Sequence, residues 1–344
     1  MSNMETTTVT TPSISVQRNW VLLALFLAVL VALPLFAPRY WIYFAGLLGI
    51  NIIATQGLNI MTGYTGLLSL GHAAFVGVGA YSVALLQIHL GLPFWITIPL
   101  AGVSAAVIGV GFGLPSLRIR GLYLVIATLA AQFILNFVFV HWQDVTNGDV
   151  GLPVAPATVF GYALNNETRI FYLILFVVVF LTWFAINVIN SRVGRAFIAI
   201  RERDLTAQVL GVEIVTYKLV AFALGSFYAG IAGGLLAYFN QFVNPEQFGL
   251  MLSVFFLSSV IVGGMGSILG AILGAVFMTL LPEILRESAL TVGGSLGFDI
   301  GTILTPLRET IFGLLMVAFL ILEPRGLAQL WKRLRHKFSP VANG

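Results

Sequence analysis

The sequence predicts an all-α membrane protein, a bundle of about ten transmembrane helices interrupted by glycine-rich breaks. Of its 344 residues, 59% are hydrophobic and 9% are charged, whereas an ordinary soluble domain has about 25% charged residues. No Asp, Glu, Lys or Arg occurs between Tyr40 and Leu117, or between Gln247 and Pro282. Because one crossing of a bilayer needs about 20 apolar residues, each of these stretches must contain several crossings.

The apolar runs define the predicted spans. They are 20–37, 41–60, 66–89, 94–115, 121–140, 170–190, 219–243, a long block at 247–282, and 303–322. As a single helix the 247–282 block would be about 54 Å long, far longer than the roughly 30 Å core of a bilayer. We therefore expect this block to break at Gly263-Gly264-Met265-Gly266-Ser267 and to cross an even number of times.

Loop charges predict the orientation and the domain organisation. Lys and Arg are concentrated in the loop 191–218 and in the basic tail 324–344, and Arg18, Arg118 and Arg120 fall on the same side. The loop 141–168 has no Lys or Arg. The positive-inside rule places both termini in the cytoplasm and 141–168 outside. The expected parts are a cytoplasmic tail at 1–19, a permease domain at 20–323 and the tail at 324–344.

Composition excludes several classes of function. The chain contains no Cys, which excludes disulfides and Cys-based metal sites, and its net charge of +4 is too small and too dispersed for nucleic-acid binding. It contains no G-x-x-x-x-G-K-[ST] phosphate-binding loop, so any ATP and Mg would have to be bound by another subunit. The long uncharged runs contain no carboxylate, which disfavours a proton-coupled secondary transporter. Four scattered His and no Cys give an enzyme little support.

Two polar stripes and several ladders of small residues run along the predicted helices. The stripes are Asn51, Thr55 and Asn59 on one helix, and Thr128, Gln132 and Asn136 on another. A spacing of four residues keeps each stripe on one face, which must point into the bundle or into a wet path. The stripes therefore either line a translocation path or form hydrogen bonds between helices. Ladders such as Gly225, Ala229 and Gly233 indicate close helix packing, either static or sliding.

His72 stands in an uncharged stretch without an acidic partner. We expect a buried structural histidine that is bonded to backbone or to a hydroxyl group, with a proton relay as the alternative.

The segment 191–212 has the densest charge cluster before the C-terminal tail, no Pro, and many helix-forming residues up to Gly211. This pattern predicts a short amphipathic helix, since a bare bundle would need only a short connector here. Such a helix could dock in a groove of a partner protein or lie on anionic lipid. Its acids, Glu202 and Asp204, favour the protein partner, and Ala207 and Gly211 form a small-residue patch suited to such a groove.

Three motifs resemble bacterial branched-chain amino acid ABC transporter permeases of the M type. The first runs from Gly57 to Phe75 (GLNIMTGYTGLLSLGHAAF), the second from Gly194 to Val212, and the third comprises Gly263-Gly264-Met265-Gly266-Ser267, Gly270, Ala271 and Gly274. Urea and short-amide permeases are related families, but Ala73-Ala74-Phe75-Val76 is closer to the amino-acid branch.

The resemblance implies a fold like that of type II ABC importers. It also implies a paralogous permease partner, two cytoplasmic ATPases, a periplasmic binding protein and an inner-membrane location. An ATPase-coupling role is implied for Gly194, Arg195, Arg201, Glu202, Arg203, Asp204, Ala207 and Gly211. Glycines of the breaks and of close packing are Gly63, Gly66, Gly71, Gly263, Gly264, Gly266, Gly270 and Gly274. A channel is the remaining rival, because it would need no docking helix.

Overall fold

The structure of this chain is a computed structural model. Some of the predicted features lie outside the residues that the structure describes. They are the tail 1–19, Arg118 and Arg120, and most of the spans 20–37 and 303–322 and of the tail 324–344. The described residues are 36–116, 121–159, 162–163, 166–296 and 326–330, with 31, 32, 34, 310, 313, 314 and 317.

The described part of the chain folds mainly into α-helices. They are α1 (Arg39–Leu58), α2 (His72–Leu90), α3 (Phe94–Ser116), α4 (Leu122–His141), α5 (Gln143–Thr146), α6 (Glu167–Asn190), α7 (Arg192–Glu202), α8 (Asp204–Val209), α9 (Ile214–Asn240), α10 (Leu250–Gly263) and α11 (Ile268–Leu296). A π-helical turn, Asn59–Tyr64, extends α1, and two 3-10 turns cover Gly148–Val150 and Pro245–Phe248.

Eight helical segments among the described residues are long and apolar enough to cross a membrane. This finding confirms the polytopic helical fold. The predicted total of about ten includes two spans that lie mostly outside the described residues. One boundary was wrong: the span predicted at 66–89 begins at His72, because residues 65–71 are not helical.

Glycine allows α9 to pack at the centre of the bundle against α1, α2 and α3. A Cβ added at Gly233 would overlap the backbone carbonyl of Val76 on α2, and one at Gly79 would overlap the carbonyl of Gly230 on α9. The backbones of α2 and α9 are therefore in direct contact. This arrangement agrees with the packing interpretation of the small-residue ladders, since close approach between apolar helices depends on small side chains.

The break predicted in the 247–282 block is confirmed. Helix α10 ends at Gly263 and α11 begins at Ile268, with Gly264 and Gly266 at φ angles of 107° and 79° that favour glycine. The two helices then pack closely, because a Cβ at Gly274 would overlap the carbonyl of Ser259. The ladder Gly266, Gly270 and Gly274 thus begins in the break and continues along the face of α11 that meets α10.

Two small antiparallel pairings lie at the opposite end of the bundle from α7 and α8. Strand β1 (Leu152–Pro153) pairs with β4 (Phe242–Val243), and β2 (Thr158–Val159) pairs with β3 (Tyr162–Ala163). The loop predicted at 141–168 is consequently joined through β1 to the chain that leads from α9 to α10.

The contact between α2 and α9 predicts that Gly233→Ala lowers the free energy of unfolding by about 1–3 kcal/mol, because the added methyl group has no room. Thermal unfolding of the detergent-solubilised chain measures the change. Gly111→Ala is the matched control, since a Cβ at this α3 glycine meets nothing within 4 Å. Equal melting temperatures for the two variants would contradict the close approach.

Candidate coupling site at the helix breaks

The first break follows α1. The π-helical turn Asn59–Tyr64 is fully buried, and the chain then runs without helical structure until α2 begins at His72. Side chains replace some of the missing helical hydrogen bonds: the Thr62 hydroxyl donates to the Leu67 carbonyl over 3.0 Å. At the end of the break, Gly71 lies so close to α4 that a Cβ would stand 2.5 Å from the Thr128 carbonyl oxygen.

The second break lies directly against the first. The Gly266 N–H donates to Asn59 Oδ1 over 3.0 Å, and Asn59 Nδ2 donates to the Ser267 carbonyl over 3.0 Å. A Cβ at Gly63 would lie 2.5 Å from the Gly266 nitrogen. The two glycine-rich segments therefore meet backbone to backbone. The buried Asn59 amide bonds the Gly266 N–H and the Ser267 carbonyl of the second break.

Arg201, near the end of α7, reaches both breaks. Its Nη1 donates a hydrogen bond to the Gly63 carbonyl. The same nitrogen occupies the space that a side chain at Gly266 would need, and the aliphatic stem lies against Gly66, where a Cβ would be 3.4 Å from Arg201 Cγ. Gly66 also has a φ of 77°, which favours glycine. One guanidinium thus links α7 to the point where the breaks meet.

We define the coupling segment as α7 and α8 with the residues that flank them. The predicted amphipathic helix is present, but it is divided at Arg203, whose φ is −158°. Ser191 caps α7 by accepting a hydrogen bond from the Val193 N–H over 3.1 Å. The bundle side of α7 is formed by the buried residues Gly194, Ala196, Phe197 and Ile200.

An ion pair attaches α8 to the bundle, because Lys218 Nζ on α9 lies 2.7 Å from Asp204 Oδ2. The structure separates the two residues of the predicted small-residue patch, because Gly211 is exposed and Ala207 is not. Ala207 is 1% exposed and packs inward. Gly211 has a φ of 83° and lies in the turn after α8.

Three large aliphatic side chains are exposed on α8 and on the residue after it, beside the exposed polar residues Thr206 and Gln208. Leu205, Val209 and Leu210 are 67%, 88% and 75% exposed. Arg195, Glu202 and Arg203 are exposed as well, so the same segment also presents charged side chains. An exposed cluster of large aliphatic side chains on a short, charged helix is typical of a protein-interaction site.

A cleft of about 230 Å³ lies beside Arg201. Its lining includes Thr65 and Leu67 of the first break, Arg201 and Asp204 of the coupling segment, and Lys218 of α9. The first break, the coupling segment and α9 therefore meet around this cleft.

The polar stripe on α4 caps the buried start of α2. Thr128 Oγ1 accepts a hydrogen bond from the Leu70 N–H over 3.1 Å, and Gln132 Oε1 accepts one from the Ala74 N–H over 2.9 Å. Gln132 Nε2 also donates to the Phe248 carbonyl over 2.7 Å. One amide thus joins α4, α2 and the turn before α10. The third stripe residue, Asn136, has a buried Oδ1 that finds no hydrogen-bond partner among the described residues.

Ser253 on α10 completes this cap. Its hydroxyl accepts from the Ala73 N–H over 2.9 Å and lies 3.1 Å from Gln132 Oε1. The first N–H groups of a helix have no partner within the helix, and in an apolar interior they need side chains such as these.

The three polar residues of the stripe on α1 make different contacts. Asn51 Nδ2 donates to Thr279 Oγ1 on α11 over 3.2 Å, and Asn59 holds the second break. Thr55 is buried, and within the described part of the chain its hydroxyl oxygen has no hydrogen-bond partner. These contacts agree with the interhelical interpretation for Asn51, Asn59, Thr128 and Gln132. A translocation role for the stripes stays a prediction.

His72 is fully buried at the start of α2. Its Nε2 lies 2.8 Å from the Ala54 carbonyl of α1, and its ring stands edge-on to Phe256. This is the backbone-bonded structural histidine expected from the sequence.

The match to known proteins covers both breaks and the coupling segment. A family model described as the branched-chain amino acid transport system permease component matches residues 40–320. The chain belongs to this family. Members of the family are non-catalytic membrane subunits of ABC transporters, and this permease is a multi-pass protein of that kind.

Curated relatives agree with the family match. The high-affinity branched-chain amino acid transport system permease proteins LivM of Salmonella typhimurium and of Escherichia coli are each 35% identical to this permease, over 81% of this chain and 72% of theirs. The high-affinity branched-chain amino acid transport system permease protein LivH of Escherichia coli is 25% identical over 79% of this chain and 88% of its own. No solved structure matches the chain, so the resemblance to type II importers remains a prediction.

Sequence reasoning missed three features of this permease. Arg201 was expected to face a partner, but it also reaches into the bundle. Ser253 was not singled out, because an isolated serine in an apolar helix gives no signal. Leu205, Val209 and Leu210 could have been found as large aliphatic residues in an otherwise charged segment.

The cap on α2 predicts that Gln132→Leu lowers the free energy of unfolding by about 1–3 kcal/mol, because the Ala74 N–H and the Phe248 carbonyl lose their partner in an apolar interior. Chemical or thermal unfolding in detergent measures this loss. Asn136→Leu, one turn further along α4, is the control, since its Oδ1 bonds none of the residues that the structure describes. If the two variants were equally stable, Gln132 would not act as a cap.

Proposed function

We propose that this permease is the M-type membrane subunit of an ATP-driven importer that takes up the branched-chain amino acids leucine, isoleucine and valine. In this proposal it pairs with a paralogous permease, two cytoplasmic ATPases and a periplasmic binding protein that delivers the solute. The observation that carries the proposal is the coupling segment, with an apolar surface that faces outward and a guanidinium that reaches both helix breaks. The names of the relatives support the choice of solute.

The apolar surface of α8 supports docking to an ATPase. A short helix that presents Leu205, Val209 and Leu210 can fill a groove of a partner by burying these side chains. The ion pair between Asp204 and Lys218 holds α8 against α9, so a force applied to α8 would also reach the bundle. ATP and Mg belong to the partner, because this sequence has no phosphate-binding loop.

The distribution of basic residues supports the orientation. We place the coupling segment and both termini in the cytoplasm and the loop 141–168 on the periplasmic side of the bacterial inner membrane, where the binding protein docks. The pairing of β1 with β4 supports a docking role for this side, because it holds the loop close to the end of α9.

Transport follows alternating access in this proposal. Nucleotide and loaded binding protein shift the bundle between outward-open and inward-open states, and they do so only as far as their affinities for the two states differ. The uncharged polar groups of the two stripes would suit a zwitterionic solute that is bound weakly and released. Solute specificity would then lie mainly in the binding protein.

We expect ATP-dependent leucine uptake by proteoliposomes that contain this permease with its neighbouring permease, ATPases and binding protein. Labelled urea is the comparison solute. Uptake of urea in place of leucine would keep the importer and assign it to the related urea and amide branch. Flux of either solute without ATP would instead indicate a channel or a secondary transporter.

Docking through α8 predicts that Val209→Asp reduces co-purification of the ATPases at least tenfold, because a buried, unpaired carboxylate costs several kcal/mol in an apolar groove. Pull-down of the ATPases by the tagged permease measures the effect. Leu90→Asp is the control, an equivalent change at an exposed leucine at the opposite end of the bundle. Normal co-purification of the Val209 variant would exclude α8 from the interface.

A further inference from the structure

We propose that Arg201 is the positioning residue through which movement of the coupling segment reaches both helix breaks. This inference rests on the proposed function and adds the route that the movement takes inside the chain. Arg201 belongs to α7, Gly63 belongs to the first break and Gly266 belongs to the second. One side chain therefore contacts α7's two neighbouring breaks at once.

The contacts separate two roles. Asn59 belongs to the first break and binds Gly266 and Ser267 of the second, so the breaks are held to each other without the coupling segment. Arg201 adds the coupling segment through the Gly63 carbonyl and the space beside Gly266. Asn59 therefore holds the breaks together, and Arg201 positions them relative to α7.

The chemistry of arginine suits this position. The guanidinium is planar, always charged, and carries donors at fixed angles, so it holds a carbonyl in a defined direction. Gly66 and Gly266 leave room for the stem and the head group, since a side chain at Gly266 would overlap Arg201 Nη1. A lysine could make a single point contact but could not hold the same direction.

Arg201 lies close in sequence to the apolar docking surface of α8. The apolar docking surface begins at Leu205, four residues after Arg201, and faces outward. Arg201 also lines the cleft beside the first break, together with Thr65 and Leu67. A displacement of α8 by an ATPase that moves Arg201 therefore acts on the Gly63 carbonyl and on the space beside Gly266 at the same time.

The first test measures solute transported per ATP hydrolysed by the complete importer in proteoliposomes. With Arg201→Gln the complex should still assemble, and binding protein should still stimulate its ATP hydrolysis. The solute transported per ATP should nevertheless fall at least tenfold, because a hydrogen bond from a charged group is lost. Arg201→Lys should lower it by about threefold, because charge remains without the fork. Arg39→Gln, an exposed arginine at the start of α1 and outside the coupling segment, should match the parent protein.

Each outcome decides the proposal. An unchanged ratio in both Arg201 variants overturns it. If Arg201→Gln lowers ATP hydrolysis and uptake in proportion, Arg201 serves ATPase engagement and the proposed route is wrong. Absence of ATP-dependent uptake by the parent importer would overturn the proposed function instead, and that result is visible before any variant is compared.

The second test needs no transport, and it uses the absence of Cys from this chain. Thr62→Cys places a thiol in the first break, where the parent residue is buried, and Ser226→Cys places one in the buried core of α9. Adding Arg201→Gln should raise the rate of maleimide labelling at position 62 at least tenfold, because the break loses a charged hydrogen bond. The rate at position 226 should stay constant. Equal rates at position 62 with and without Arg201 would show that Arg201 does not hold the break.

Discussion

The structure depends on satisfying backbone polar groups where helices break inside an apolar bundle. Where such a group is buried away from water and has no neighbouring turn to bond it, leaving it unpaired costs several kcal/mol. Three polar side chains form hydrogen bonds with several of these backbone groups. Asn59 bonds the second break, Arg201 bonds the first, and Gln132 bonds the start of α2 and the turn before α10.

These bonds explain why polar residues recur on apolar helices of this permease. Gln132 and Thr128 lie on α4, but the groups that they satisfy belong to the segment 70–74. The polarity of one helix is thus determined by the irregular backbone of another. The same relation holds for Ser253 on α10, which bonds the Ala73 N–H. A breaking motif and its distant cap form one structural unit, although they are remote in sequence.

Much of the fold could be predicted from sequence because the bilayer fixes helix length and hydrophobicity. The spans, the break at Gly263–Ser267, the structural role of His72 and the helix after Ser191 all follow from local composition. The partners of Asn59 and Gln132 could not be predicted, since pairing between helices leaves no local pattern. The burial of Ala207 was likewise hidden, because helical spacing defines a face but not which neighbour covers it.

The hydrogen bond between Gly266 and Asn59 joins residues 207 positions apart in the chain. A ribosome adds about 5–20 residues per second, so roughly 10–40 s of synthesis separate the two residues. During that time the Asn59 amide has entered the membrane with α1, but its native partners do not yet exist. Insertion of the first half must therefore proceed with a polar group that is bonded provisionally, to water or to other backbone, until the second half arrives and replaces those bonds.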